Sequence, residues 1–312
     1  MFRLIADIGG TNARFAIAGP KGIEHTQILN CKDYPSLADA AKTYLKAVRQ
    51  PLPEDGAFAV AAPLDGGDHV KMPNHVWAFS IKDTAVQVGL KKLKVVNDFA
   101  ALGYAVPRLT SQEYFQVGGG TQRAGMPIVV VGPGTGLGVG GIVFMGDQAV
   151  VIPTEGGHVT MPASSDREFR IFEQLKKDKY SHVSAERVVS GKGILNMYHA
   201  IAALDGVAVP ERTPAEITDA GVKGSCKVCA EVIELFCHFL GVVAGNAALT
   251  YGAGGGVYIA GGIVPQIKDY FIASRFRASF TDKGRFKDYL NAIPTFVITH
   301  PTPGLEGLKY VL

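Results

Sequence analysis

The chain has 312 residues, 47% of them hydrophobic and 19% charged. That length exceeds one ordinary core and points to two domains, and the composition excludes a disordered or fibrous protein. A formal net charge of +3 is too small and too dispersed for a nucleic-acid binder, and Lys91, Lys92 and Lys94 read as a solvated helix end.

In chain order, the apolar run Leu4-Ile5-Ala6-Asp7-Ile8 predicts a strand over 2–8, followed by strands over 14–18 and 23–30 and a helix over 36–49. Ala57 to Ala62 is a short apolar run stopped by Pro63, as a buried strand would be. Val70-Lys71-Met72 and Val76-Trp77 make an extended piece around Pro73-Asn74. A helix is expected over 80–90 with Ser80 as N-cap, then a strand over 94–98, and a helix starting at Phe99. This order predicts an α/β half with a mixed sheet.

The pattern then restarts. Strands are expected over 127–131, 139–145 and 148–152, then helices over 167–176, 184–188, 191–203, 213–221 and 224–250. A strand over 257–260, a turn Gly261-Gly262-Ile263-Val264-Pro265, a helix from Pro265, a strand over 295–298 and a helix over 303–311 close the chain. The last helix is expected to pack back on the first half, which would otherwise leave it an orphan. The domains are accordingly 1–108 with 298–312, and 109–297.

Glycine, at 38 residues, is in excess, and the excess sits beside strands. Two turns matter most: Gly9-Gly10-Thr11-Asn12-Ala13-Arg14 and Gly132-Pro133-Gly134-Thr135-Gly136-Leu137-Gly138, each between two apolar strands. Such turns expose backbone N–H groups that attract phosphate oxygens. Their repetition a domain apart points to a nucleotide held by two related halves. Gly136-x-Gly138-x-x-Gly141 also matches a dinucleotide fingerprint, but the β-like Ile142-Val143-Phe144-Met145 stands where that motif needs a helix. Neither a P-loop nor the protein-kinase motif set is present.

Cys31, Cys226, Cys229 and Cys237 form no disulfide framework and suit a reducing compartment. Cys226-x-x-Cys229 lies within a helical pattern, without a second pair of ligands, so small buried apolar residues are the better reading than zinc. Leu235 to Gln266 carries no formal charge, yet Asn246 and Gly252 to Gly256 interrupt it, so a buried helix, a turn and a strand are expected rather than a membrane span. The first strand is not preceded by an export signal, which sets the expected location as cytoplasmic.

Asn97 and Asp98 stand at the carboxyl end of a predicted strand, where α/β sheets place ligand groups. Asp98 can take a proton from a hydroxyl, or it can cap the helix that follows; local sequence leaves both open. Glu155 and His158, in Thr154-Glu155-Gly156-Gly157-His158, suit a polyol, although local sequence alone reads His158 as an exposed loop residue and Glu186 as a solvated helix carboxylate.

Taken together, these segments resemble the hexokinase–actin superfamily and, within it, the zinc-free bacterial glucokinases. Asp7-Ile8-Gly9-Gly10-Thr11-Asn12 resembles the first phosphate loop, Gly132 to Gly138 the second, and Ala260-Gly261-Gly262-Ile263-Val264-Pro265 the adenosine segment. Asn97-Asp98, Thr154 to His158 and Glu186 follow in the family's order. The resemblance implies two ribonuclease-H-like domains with mixed sheets flanking a cleft, and phosphorylation of glucose at its 6-hydroxyl. It implies ATP and Mg2+, and a cytoplasmic homodimer without nucleic-acid or membrane partners. Sugar binding falls to Asn97, Asp98, Glu155, His158 and Glu186, and the general base to Asp98. ATP contact falls to Ala6, Asp7, Ile8, Gly9, Gly10, Thr11, Gly134, Thr135, Gly136, Gly261 and Gly262, and Mg2+ to Asp7 through water. Thr160 and Met161 depart from the acidic and aromatic residues expected after His158, which points to an altered pocket rim. The alternatives are a kinase for another hexose and a sugar sensor without turnover.

Overall fold

The computed structural model describes residues 2–48, 53–62, 64–72 and 77–311. Pro63, Pro73, Asn74 and Val76, invoked above, lie outside them. The chain divides into two compact units, Met1–Leu109 with His300–Leu312, and Thr110–Thr299.

The first unit opens with β1 (Arg3–Ile8), β2 (Asn12–Gly19) and β3 (Gly22–Asn30), an antiparallel meander. After α1 (Leu37–Val48), β4 (Asp55–Val60) pairs parallel with β1. A small ribbon of β5 (His69–Lys71) and β6 (Ala78–Ser80) leads into α2 (Ile81–Val88), which Ser80 caps through its side chain as expected. Next, β7 (Lys92–Asn97) pairs parallel with β4 and runs directly into α3 (Asp98–Ala105). The sheet order is β3-β2-β1-β4-β7.

Strand alternation decides which face each side chain covers. Leu4, Ala6 and Ile8 join Phe15, Tyr44 and Phe58 in one core, where the Phe15 and Tyr44 rings stack at 5.4 Å. Ile5, Ala16, Ala57 and Ala59 face the other way. Both faces are buried, which is why β1 reads as an almost unbroken apolar run.

The second unit repeats the plan. β8 (Tyr114–Val117) precedes the meander of β9 (Ile128–Pro133), β10 (Leu137–Met145) and β11 (Gln148–Pro153). Four helices follow: α4 (Asp166–Asp178), α5 (Gly191–Asp205), α6 (Pro214–Val222) and α7 (Lys227–Tyr251). β12 (Val257–Ile259) pairs parallel with β9. Short helices α8 (Ile263–Gln266), α9 (Lys268–Ala273), α10 (Phe276–Thr281) and α11 (Lys287–Asn291) lead to β13 (Thr295–Ile298). The order β11-β10-β9-β12-β13-β8 matches the first sheet strand for strand, with β8 added antiparallel at the edge. Finally α12 (Pro303–Leu308) returns to the first unit, where Leu305 and Leu308 cover Ile5, Ala57 and Ala59.

Three expectations need correction. The helix expected over 184–188 is a single 3-10 turn, Ala185–Arg187. The helix expected from Pro265 breaks into short pieces, and β8 was not anticipated. The 25-residue α7 is the one described helix long and apolar enough to cross a membrane, but most of that apolar stretch is buried inside the second unit. Cys229 and Cys237 lie buried on it.

One polar network joins the helices. The Arg167 guanidinium on α4 donates from Nε and Nη2 to Glu231 on α7 and from Nη1 and Nη2 to Asp205 at the end of α5, at 2.7–3.0 Å. Hydrogen bonding to Arg167 holds the Asp205 carboxyl below the ordinary carboxylate range. A depressed folded pKa adds stability above the unfolded pKa and loses it as pH falls through the folded one. Arg167→Met is therefore expected to cost about 1 kcal/mol at pH 7, as befits a partly exposed network. Urea melts at pH 7 and about pH 3 should show the gap from wild type closing as the pH falls.

Candidate active site

In the first unit, the parallel register sets Ile8 level with Val60 and Val60 level with Asn97. The glycine turn after β1 and the Asn97-Asp98 pair after β7 thus leave the same sheet edge, two strand spacings or about 10 Å apart. The turn itself, Gly9 to Thr11, is closed by the Gly9 N–H donating to the Asn12 carbonyl at 3.0 Å. Asp7, the last polar residue before it, lies 3.7 Å from the Arg14 guanidinium across the hairpin. Burial pushes the Asp7 carboxyl above its ordinary value, and Arg14 opposes that rise.

The cap left open by the sequence is Asn97. Its Oδ1 accepts from the N–H groups of Phe99 at 2.9 Å and Ala100 at 3.3 Å, while Nδ2 donates to the Ala62 carbonyl at 3.1 Å. Asp98 is the first residue of α3, exposed, with Oδ1 accepting from the Phe99 N–H at 2.8 Å. An amide fixed on both sides therefore aims the carboxylate next to it.

The second unit builds its edge in the same way. β9 runs on through Gly132 and Pro133, so the turn is only Gly134 to Gly136, closed by the Gly134 N–H donating to the Gly136 carbonyl at 2.8 Å. β12 ends beside it, where the Ala260 N–H donates to the Val131 carbonyl at 2.8 Å. Gly261 then presses against the β9–β10 hairpin: a Cβ there would sit 2.2 Å from the Pro133 carbonyl oxygen. The second glycine turn and the Gly261-Gly262 segment are thus brought together.

Glu186 is not a solvated helix carboxylate. Half-buried in its 3-10 turn, it accepts through Oε2 from the Leu137 N–H at 3.0 Å, at the mouth of the glycine turn. Gly157 lies on that hairpin too, since a Cβ would meet the Leu137 carbonyl at 1.9 Å. Glu155 and His158 flank it, both exposed, with His158 Nε2 3.9 Å from Glu155 Oε2. Thr160 bridges to Ser184, and its Oγ1 lies 2.8 Å from His182 Nε2. Met161, expected on a pocket rim, is 4% exposed and belongs to the core of the second unit.

Beside the glycine turn lies a cavity of about 330 Å³, lined by Gly134 and Thr135 and walled by Ile194, Pro214, Ala215 and Ile263, among others. A mostly apolar slot of that size ending at a glycine turn suits a flat aromatic base carrying phosphates. The helix-borne residues of the wall went unread in the sequence, because only packing brings α5, α6 and α8 to one place.

A sequence model of the glucokinase family matches residues 4–312. A glucokinase of Paramagnetospirillum magneticum is 49% identical over 308 residues, covering 98% of this chain and 95% of that one. A glucokinase of Neisseria meningitidis serogroup C is 45% identical over 311 residues, covering 99% and 94%. The crystal structure of a glucokinase from an Antarctic psychrotroph superposes with a TM-score of 0.89 at 36% identity, covering 99% of this chain and 97% of that one.

Proposed function

The chain belongs to the glucokinase family, and on that footing we propose that it moves the γ-phosphoryl group of ATP to the 6-hydroxyl of glucose, with Asp98 as the base. The observation that carries the base assignment is the common sheet edge of the first glycine turn and the Asn97-Asp98 pair. Phosphoryl transfer asks a protein for positioning and charge neutralisation more than for covalent chemistry. A carboxylate on the edge that also bears a phosphate-binding turn suits that task.

Asp98 accepts the hydroxyl proton as the new O–P bond forms. Asn97, whose Oδ1 is committed to the cap, orients a sugar hydroxyl with the second proton of its amide. Glu155, His158 and Glu186 take sugar hydroxyls on the second unit, and a hydroxyl at the wrong carbon would leave one of them unpaired. Glu186 also holds the Leu137 N–H, so the residue that reads the sugar shapes the phosphate turn. Nucleotide phosphates meet the turns Gly9–Thr11 and Gly134–Gly136, with Ala6, Asp7 and Ile8 beneath the first and Gly261 and Gly262 beside the second.

A Mg2+ ion fits Asp7. Among the described residues no cluster of three carboxylate, histidine or cysteine side chains could cage a metal. A single carboxylate beside bound phosphates is the donor set Mg2+ ordinarily uses, with waters completing its shell. Bound there, the ion would neutralise phosphate charge, and Asp7 would hold it through water. The same reading makes the protein a cytoplasmic homodimer, on the family resemblance alone.

The test is a coupled ADP-release assay with Mg-ATP and glucose, mannose, fructose, glucosamine and N-acetylglucosamine. Turnover should be strongest on glucose. A different best sugar would move the substrate assignment to another hexose. Calorimetric binding of glucose without turnover would make the protein a sensor.

A further inference from the structure

Resting on the nucleotide reading above and deepening it, we propose that Lys192 binds the non-transferred phosphates of the nucleotide. Among the described residues it is the one charged side chain lining the cavity beside the second glycine turn, and no described carboxylate shares that lining. Its place is fixed by the backbone. Ser190 caps α5 by accepting from the Gly193 N–H at 2.9 Å, and the Gly191 N–H donates to the Gly134 carbonyl at 2.8 Å. The amino end of α5 is thereby tied to the phosphate turn, with Lys192 as the second residue of the helix.

Three independent features then favour an anion at one end of the cavity: the glycine turn, the positive end of a 15-residue helix, and the ammonium group. The wall of Ile194, Pro214, Ala215 and Ile263 offers nothing to a charge and suits the base. A cation on the wall of the cavity that holds the base meets the phosphates nearest the base first. Those phosphates are common to ATP and ADP and stay in place during transfer. An interaction equal in the ground and transition states changes KM and leaves kcat alone.

The experiment measures Kd for ATP, ADP and adenosine, with steady-state kinetics, in wild type, Lys192→Met and Lys192→Arg. Lys192 is exposed, so the variants should fold normally. Lys192→Met should weaken ATP and ADP alike by about tenfold, the scale of one charge-assisted hydrogen bond. KM for ATP should rise by the same factor, with adenosine affinity and the KM for glucose unchanged, and Lys192→Arg should recover most of the loss. Equal weakening of adenosine would overturn the proposal in favour of a packing role, as would unchanged ADP affinity. Wild-type protein that binds neither ATP nor ADP would instead sink the nucleotide reading, and this assignment with it.

Discussion

Asp98→Asn is expected to lower kcat by about 10²-fold or more, the ordinary contribution of a positioned general base, while the fold survives. The structure separates those two effects. Asn97, not Asp98, supplies the side-chain cap of α3, so the substitution leaves the cap in place. What the helix loses is one negative charge in its first turn, about 0.3–1 kcal/mol at most. Asp98 is also exposed, so an amide of the same shape creates no cavity. Steady-state kinetics with glucose and Mg-ATP, beside a thermal melt, should show a collapsed kcat on a nearly unchanged Tm. Near-normal kcat would remove Asp98 from the role of base.

Gly261→Ala should be strongly destabilising, whereas Gly262→Ala next to it should be close to neutral. Gly261 has φ +86°, in the region L side chains rarely enter, and a Cβ would press to 2.2 Å from the Pro133 carbonyl. Backbone strain of about 1–2 kcal/mol adds to a clash that only movement of β12 away from β9 can relieve. A total of about 3 kcal/mol or more falls in the range reserved for strain and overpacking. For a unit of this size that lowers Tm by roughly 6–12 °C. Gly262 has ordinary φ, and a Cβ there would find nothing nearer than Gln266 Nε2 at 3.9 Å. Because Gly261 packs against the second glycine turn, the proposed nucleotide site predicts that its variant should also bind ATP poorly. Equal melting temperatures for the two variants would show that the close approach carries no energetic weight.

The meanders were legible because each is local: short apolar runs, glycine between them, and short loops. Ser80 was readable as a cap for the same reason, since its partner is three residues away. Asn97 and Asp98 were found as a pair, but their roles were not separable, because both are good caps and the geometry that chooses between them includes the Ala62 carbonyl, in the bend just after β4. β8 was missed because Tyr114–Val117 is too short to show a period, and it becomes a strand only through pairing with β13. The helix expected from Pro265 is instead a series of short helices, α8 to α11.

From sequence alone came the repeated strand–glycine–strand units, the family, and the identity of the residues carrying carboxylates and hydrogen-bond donors at strand ends. These follow from backbone rules acting over a few residues, which any chain of this pattern obeys. Tertiary structure alone decided that the Glu186 carboxylate anchors the Leu137 N–H, that Met161 belongs to the core, and that Lys192 shares a cavity with Gly134. The Glu186–Leu137 contact, for one, joins residues 49 positions apart. Which distant side chains meet depends on how helices pack on a sheet, and no local propensity encodes that.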